Sequence, residues 1–221
     1  MTSFGASLRN FLLAAAAATL AGACSHAVLV RPAPSYEAFA FDAPLPAAAA
    51  VFVDADQLFR DVPLMPDPSG DEHCGGSRYP VDAREPFEIS VLGTMERLVR
   101  RVERTAAPLD REAMEARGLD SVIVVRVDTF NIGLTSGGLL NISFEAGAEL
   151  IVSVSAFTHE GLQVRETVFG NGVQTLRGIT CDTGAAAIGA AIEVAIENSM
   201  TELGELIANS PALRRSLGAA G

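Results

Sequence analysis

Three cysteines, three histidines and two short acidic groups are the residues able to do chemistry in this 221-residue chain. None of His26, His73 and His159 has a Ser or Cys and an acid beside it in a catalytic order. There is no Gly-x-Ser-x-Gly elbow and no His-Glu-x-x-His pair, so the usual residues for acyl transfer and zinc-assisted hydrolysis are missing. Gly170-Asn171-Gly172 lacks the third glycine and the following helix of a phosphate loop, and reads as a turn or bulge at a strand end. Asp54 and Asp56 share one side of an extended stretch and could hold a hard cation or act as an acid pair. Asp67, Asp71 and Glu72 could hold calcium or serve a hydrolase, but a calcium loop needs carboxylates at fixed spacing around a tight Gly turn. Their looser spacing is that of a solvated acidic loop. No metal, cofactor or catalytic residue is expected on these grounds.

Cys24 stands in a different setting. Arg9 is the one charge before it, and Phe11 to Ala23 is an unbroken, weakly apolar, Ala-rich stretch. A positive start, a short apolar run and a small-residue exit make a secretory signal. The exit reads Leu20-Ala21-Gly22-Ala23-Cys24, with Leu20 one place further from the Cys than in the usual pattern. It resembles a bacterial lipobox. The resemblance implies cleavage after residue 23, a diacylglyceryl group on the Cys24 sulfur and a membrane partner reached through that lipid. Several acyl chains together give stable anchoring, where one alone is marginal. In such lipoproteins the residue after the Cys sorts between membranes. Ser25, not Asp, implies the outer membrane and its periplasmic face. The other reading is an ordinary secretory peptide, with Cys24 a bystander.

With Cys24 assigned to lipid, Cys74 and Cys181 remain. Two thiols in an oxidising compartment invite a disulfide. The bridge would close a loop of about 108 residues, worth roughly 4 to 5 kcal/mol in the chain-entropy view. A metal pair is the poorer use, since His73 is the only local co-ligand and no Cys-x-x-Cys spacing exists.

Composition excludes some classes of function. The chain carries 16 basic residues, all Arg, against 27 acidic ones, for a net charge of -11. Loss of residues 1–23 removes Arg9 and leaves 15 against 27, or -12. Such a chain repels a phosphate backbone, so no nucleic-acid partner is expected. No apolar run reaches the ~20 residues of a spanning helix. With 49% apolar residues there is enough material for a core.

Four segments are expected: a signal at 1–23, a Pro/Ala-rich tether at 24–50, a folded domain at 51–209 and a flexible tail at 210–221. Pro32, Pro34, Pro44 and Pro46 make the tether extended, with a reach up to about 80 Å. Tyr36, Phe39 and Phe41 within it are either a docking motif for a partner or an edge strand packed back on the domain. Ala50 to Asp54 reads as a first strand. The spacing of Phe87, Val91, Leu92, Met95, Leu98, Val99 and Val102 predicts a helix starting between Asp82 and Pro86. Arg97, Arg100, Arg101 and Arg104 load its far end, where cations suit the helix dipole or could accept an acidic partner or lipid phosphate. Ser121 to Ile132 reads as a strand. Ile142, Phe144, Ala146, Ala148, Leu150, Val152, Val154 and Ala156 share one parity, the signature of a long half-buried antiparallel strand. Leu162 to Phe169 reads as a third strand. A last helix buries Ile188, Ile192, Ala195, Ile196, Met200, Leu203 and Ile207, and ends at Ser210-Pro211.

This order predicts an α+β fold: a mainly antiparallel sheet with two helices packed on one face. From about Ala50 to Asn209, element order together with the lipobox resembles the exported α+β lipoproteins and domains of the TolB amino-terminal, LpoB, CsgG and YajG type. The resemblance implies a non-catalytic accessory or assembly protein that docks another envelope protein. It also permits a CsgG-like secretion or pore subunit, since the hairpin from Ser121 to Ala156 is long enough to cross a membrane.

Overall fold

A computed structural model describes residues 25–35, 44–65, 74–138 and 142–217. Cys24, Tyr36, Phe39, Phe41, His73 and the acidic group Asp67, Asp71 and Glu72 lie outside the described residues.

The elements in chain order are β1 (Leu45–Asp54), a 3-10 turn (Asp56–Leu58), β2 (Phe59–Pro63), β3 (Arg78–Asp82) and α1 (Arg84–Leu98). Then come β4 (Val99–Arg104), α2 (Arg111–Arg117), β5 (Ser121–Gly137), β6 (Ser143–Thr158), β7 (Gly161–Arg177), α3 (Cys181–Asn209) and α4 (Pro211–Ser216). Five strands form one sheet in the order β4-β1-β5-β6-β7, and β2 with β3 forms a separate hairpin. The fold is α+β, but the sheet is mixed rather than mainly antiparallel. β1 pairs parallel with both β4 and β5, while β5-β6-β7 is the expected antiparallel meander.

Two elements account for that correction. β1 begins at Leu45, inside the expected tether, and Ala47 to Ala50 is almost fully buried in the sheet between β4 and β5. Alanine has modest strand preference, but here both faces of β1 are covered. Ala47, Ala49 and Val51 join the core under α1 and α3, while Ala48 and Ala50 pack with Met114, Leu119 and Val122 under α2. Small side chains suit a strand between two layers. The second element is β4. Val99 and Val102 fit a helical period, yet α1 stops at Leu98 and Val99 pairs with Leu45. Arg100, Arg101 and Arg104 therefore lie on an edge strand, and only Arg97 stays in the last turn of α1.

The parity of β6 holds along its length. Phe144, Ala146, Ala148, Leu150, Val152, Val154 and Ala156 are buried, and the alternate residues are half-buried or exposed. Val122 to Val125 is apolar on both parities because α2 covers the second face at that point. Within the segment expected as a tail from residue 210, Pro211–Ser216 forms the helix α4. Ser210 Oγ accepts from the Leu213 backbone N–H at 3.3 Å, and Leu213 is buried in the core.

α3 covers the β6-β7 half of the first face, and α1 lies beside it over β1 and β4. Its approach to β7 is backbone to backbone. Gly170 and Gly172 are mid-strand residues of β7, neither a turn nor a strand end. A β-carbon on Gly170 would collide with the Ala195 carbonyl, and one on Gly172 with the Ala191 carbonyl. Glycine is required there by close approach, which a bulkier residue would pry apart. Gly172→Val is therefore expected to destabilise the fold by about 3 kcal/mol, whereas Val173→Ala next to it stays within about 0.5 kcal/mol. Thermal unfolding followed by circular dichroism checks this. A Gly172→Val protein melting with the wild type would contradict the packing argument.

Candidate functional site

The segment from Ser25 to Ser35 is extended, as its prolines require, but it is bound to the domain rather than free. Ser25 bridges Arg78 of β3. The His26 and Val28 N–H groups donate to the Arg78 and Pro80 carbonyls at 3.0 and 3.3 Å. Further on, the Arg31 N–H donates to Glu193 Oε1 of α3 and the Ala33 N–H to Ser90 Oγ of α1, both at 2.9 Å. Pro32 and Pro34 alternate with these donors and have no N–H to satisfy. Val30 is buried, and Ser35 Oγ accepts from Thr201 Oγ1 at 2.6 Å. The strap thus lies along the groove between α1 and α3. Its nine steps from His26 to Ser35 span about 30 Å, which matches α3 from Asp182 to Thr201 at ~1.5 Å per residue. Gly189 lets the strap cross, since a β-carbon there would strike the Leu29 carbonyl.

The strap begins at a braced corner. Cys74 and Cys181 are joined by a disulfide, with Cα atoms 5.7 Å apart and a sequence separation of 107. This ties the loop before β3 to the first residue of α3. One residue on, Asp182 Oδ1 lies 2.6 Å from His26 Nδ1. The His26 ring stacks on Tyr79 with centroids 5.7 Å apart. Tyr79 is fully buried, and burial pushes its phenol above the usual value, with the Asp182 carboxylate adding to the rise and Ser77 opposing it. A hollow of about 380 Å³ beside Ser77 and Arg78 completes the corner. These groups brace the chain where it joins the domain.

Several of the other singled-out residues have structural partners. Arg101 Nη2 donates to the Gly118 carbonyl at 2.9 Å, closing the C-terminal end of α2. Arg104 pairs with Glu88 at 2.5 Å. Arg100 is exposed on the β4 edge. Asp54, the last residue of β1, pairs with Arg126 at 3.1 Å, and Asp56 opens the 3-10 turn that follows. Asp82 is held by Arg84, whose guanidinium keeps its carboxyl below the usual carboxylate range. His159 sits in the β6-β7 turn, 3.9 Å from Glu115. Among the described residues no three His, Cys, Asp or Glu side chains cluster to hold a metal ion.

What sequence reading missed is the second face of β5-β6-β7. Register places Thr129, Ile151 and Phe169 in one row across it. The next rows are Asn131, Glu149 and Asn171, then Gly133, Gly147 and Val173. Phe169 is 48% and Val173 65% exposed. Among the described residues nothing stands over Gly147, so the glycine row is a trough, bounded at one end by Met65 against Gly133 and at the other by Val173. Toward the hairpin end, Arg126, Ser153, Ser155, Arg165, Glu166 and Thr167 line a shallow depression of about 530 Å³. β7 hid this face because its apolar residues fall on both parities: Val164 and Val168 point inward, Phe169 and Val173 outward. The free edge of β7 is partly closed. Glu202 accepts from the Phe169 N–H, and Asn198 donates to the Asn171 carbonyl, each at 2.7 Å.

No protein-family model and no curated protein matches the chain. Several solved structures do. A DUF330-family protein from Xanthomonas campestris aligns with 18% identity and TM-score 0.47, over 84% of this chain and 96% of that one. A neuraminyllactose-binding hemagglutinin homologue from Helicobacter pylori aligns with 10% identity and TM-score 0.46, over 84% and 98%. A hypothetical protein from Chlamydia trachomatis gives 10% identity and TM-score 0.37, over 74% and 99%. The neighbours are bacterial proteins of similar overall layout.

The disulfide yields a direct expectation. The Cys74→Ser, Cys181→Ser double variant loses about 4 to 5 kcal/mol of unfolding free energy, read as a lower urea midpoint than the oxidised wild type. Coincident urea curves would contradict a stabilising bridge.

Proposed function

We propose that this protein is an exported, lipid-anchored envelope protein of the outer membrane, facing the periplasm, that docks another envelope protein through the second face of β5-β6-β7. It works by contact and not by catalysis. The observation that carries the reading is the contrast between the two sheet faces. The first is buried under α1 and α3, while the second, among the described residues, leaves Phe169 and Val173 exposed beside half-buried Ile151 and a glycine trough. Adjacent exposed apolar residues on a flat, rigid surface suit a protein partner. The disulfide suits an oxidising compartment, and the residues up to Cys24 suit lipoprotein export. Strand addition at the β7 edge is the poorer mode, because Glu202 and Asn198 already occupy part of that edge.

A photo-crosslinking residue placed at Val173 in the cell is expected to give a discrete protein adduct. The same residue at Arg215, exposed on α4, is expected to give none. Phe169→Asp should remove the Val173 adduct while leaving membrane fractionation unchanged. Adducts from Arg215 alone would overturn the assignment of this face.

A further inference from the structure

We infer that the end of the domain holding Ile179, Arg177 and the Cys74–Cys181 bridge rests directly on the lipid surface, with the β6-β7 turn pointing away from it. The inference rests on the lipid-anchor reading of Cys24 and adds an orientation to it. A free tether over residues 24–50 would leave the domain unoriented, tens of ångströms from the bilayer. The structure removes that freedom from the first described residue onward. Ser25 already bridges Arg78, and His26 is held by the Arg78 carbonyl, Asp182 and the Tyr79 ring. Cys24 is covalently next to Ser25, with consecutive Cα atoms about 3.8 Å apart. An acylated Cys24 therefore places this corner at the membrane within the length of its own side chain and glyceryl group.

The surroundings of the corner fit such a neighbour. Gly137, Ser143 and Arg177 form the last row of the three long strands, and the Gly178 N–H donates to the Ile142 carbonyl at 3.1 Å. Ile179 follows, 78% exposed, two residues before the bridged Cys181. It is the most exposed large apolar side chain among the described residues, and it stands at the end where the lipid would attach. Exposed Arg177 beside it can meet headgroup phosphates. The opposite end carries His159, Glu160 and the α2 acids, and its exposed apolar side chain, Leu162, is 46% exposed against 78% for Ile179. The 16 residues of β6 separate the two ends by about 50 Å, so they are readily told apart.

The test uses full-length, lipidated protein reconstituted in phosphatidylethanolamine/phosphatidylglycerol vesicles doped with headgroup spin-labelled lipid. A single fluorophore is attached at Ile179→Cys, at Arg177→Cys or at Glu160→Cys, with the native bridge kept oxidised. Strong quenching at both Ile179 and Arg177, and little at Glu160, is expected. The Arg177 probe keeps the test decisive if the Ile179 variant folds poorly. Protein that floats with vesicles but is quenched equally at both ends, or more at Glu160, overturns the orientation and leaves the anchor reading standing. Lipidation-competent wild-type protein that does not float overturns both.

Discussion

Contact between α3 and β7 at backbone distance is the constraint on which the rest of this structure depends. Gly170 and Gly172 remove the side chains that would hold the helix off, and Ala191 and Ala195 meet them from the other side. α3 then seals the first face of the long meander with Ile188, Ile192, Ile196 and Leu203. Everything else at the N-terminal end is hung on this helix. Its first residue carries the disulfide, its second engages His26, and its exposed flank supplies Glu193 and Thr201 to the strap. Because one long helix layer satisfies one face, the second face of β5-β6-β7 stays available for contact outside the chain.

Local patterns made half of this legible. β6 alternates cleanly because one of its faces is sealed and the other wet, and period two survives in the sequence. α3 repeats apolar residues at helical spacing for the same reason. The Cys74–Cys181 pairing follows from counting thiols once Cys24 is set aside. The parallel half of the sheet was hidden. Leu45 to Ala50 is too rich in alanine and proline to resemble a strand, and only its burial between two helical layers explains the small side chains. β4 was hidden because Val99 and Val102 suit a helix turn and an edge strand equally well, and parallel pairing to distant β1 decided between them. The prolines of the strap predict an extended chain, and residues 25–35 are extended. Its docking depends on Glu193, Ser90 and Asp182, groups 57 to 162 positions away, which no local pattern encodes.

The same distant contacts change the physical picture of how such a protein would work in an envelope. A long flexible tether searches a volume, and its effective concentration at a partner falls with length. A domain braced at its point of attachment presents one face at one height. On the proposed lipid anchor, the open sheet face would be held roughly perpendicular to the membrane, with its strands running away from the lipid. A partner binding there would meet a rigid surface already oriented, which lowers the ordering cost of association.

Radiolabelled palmitate incorporation with membrane fractionation, comparing wild type with Cys24→Ala, tests the central claim most directly. The account predicts a labelled wild type in the outer-membrane fraction, and neither label nor membrane residence in the variant. An unlabelled, freely soluble wild type would contradict it, leaving a disulfide-braced domain with an open sheet face and no membrane to orient it.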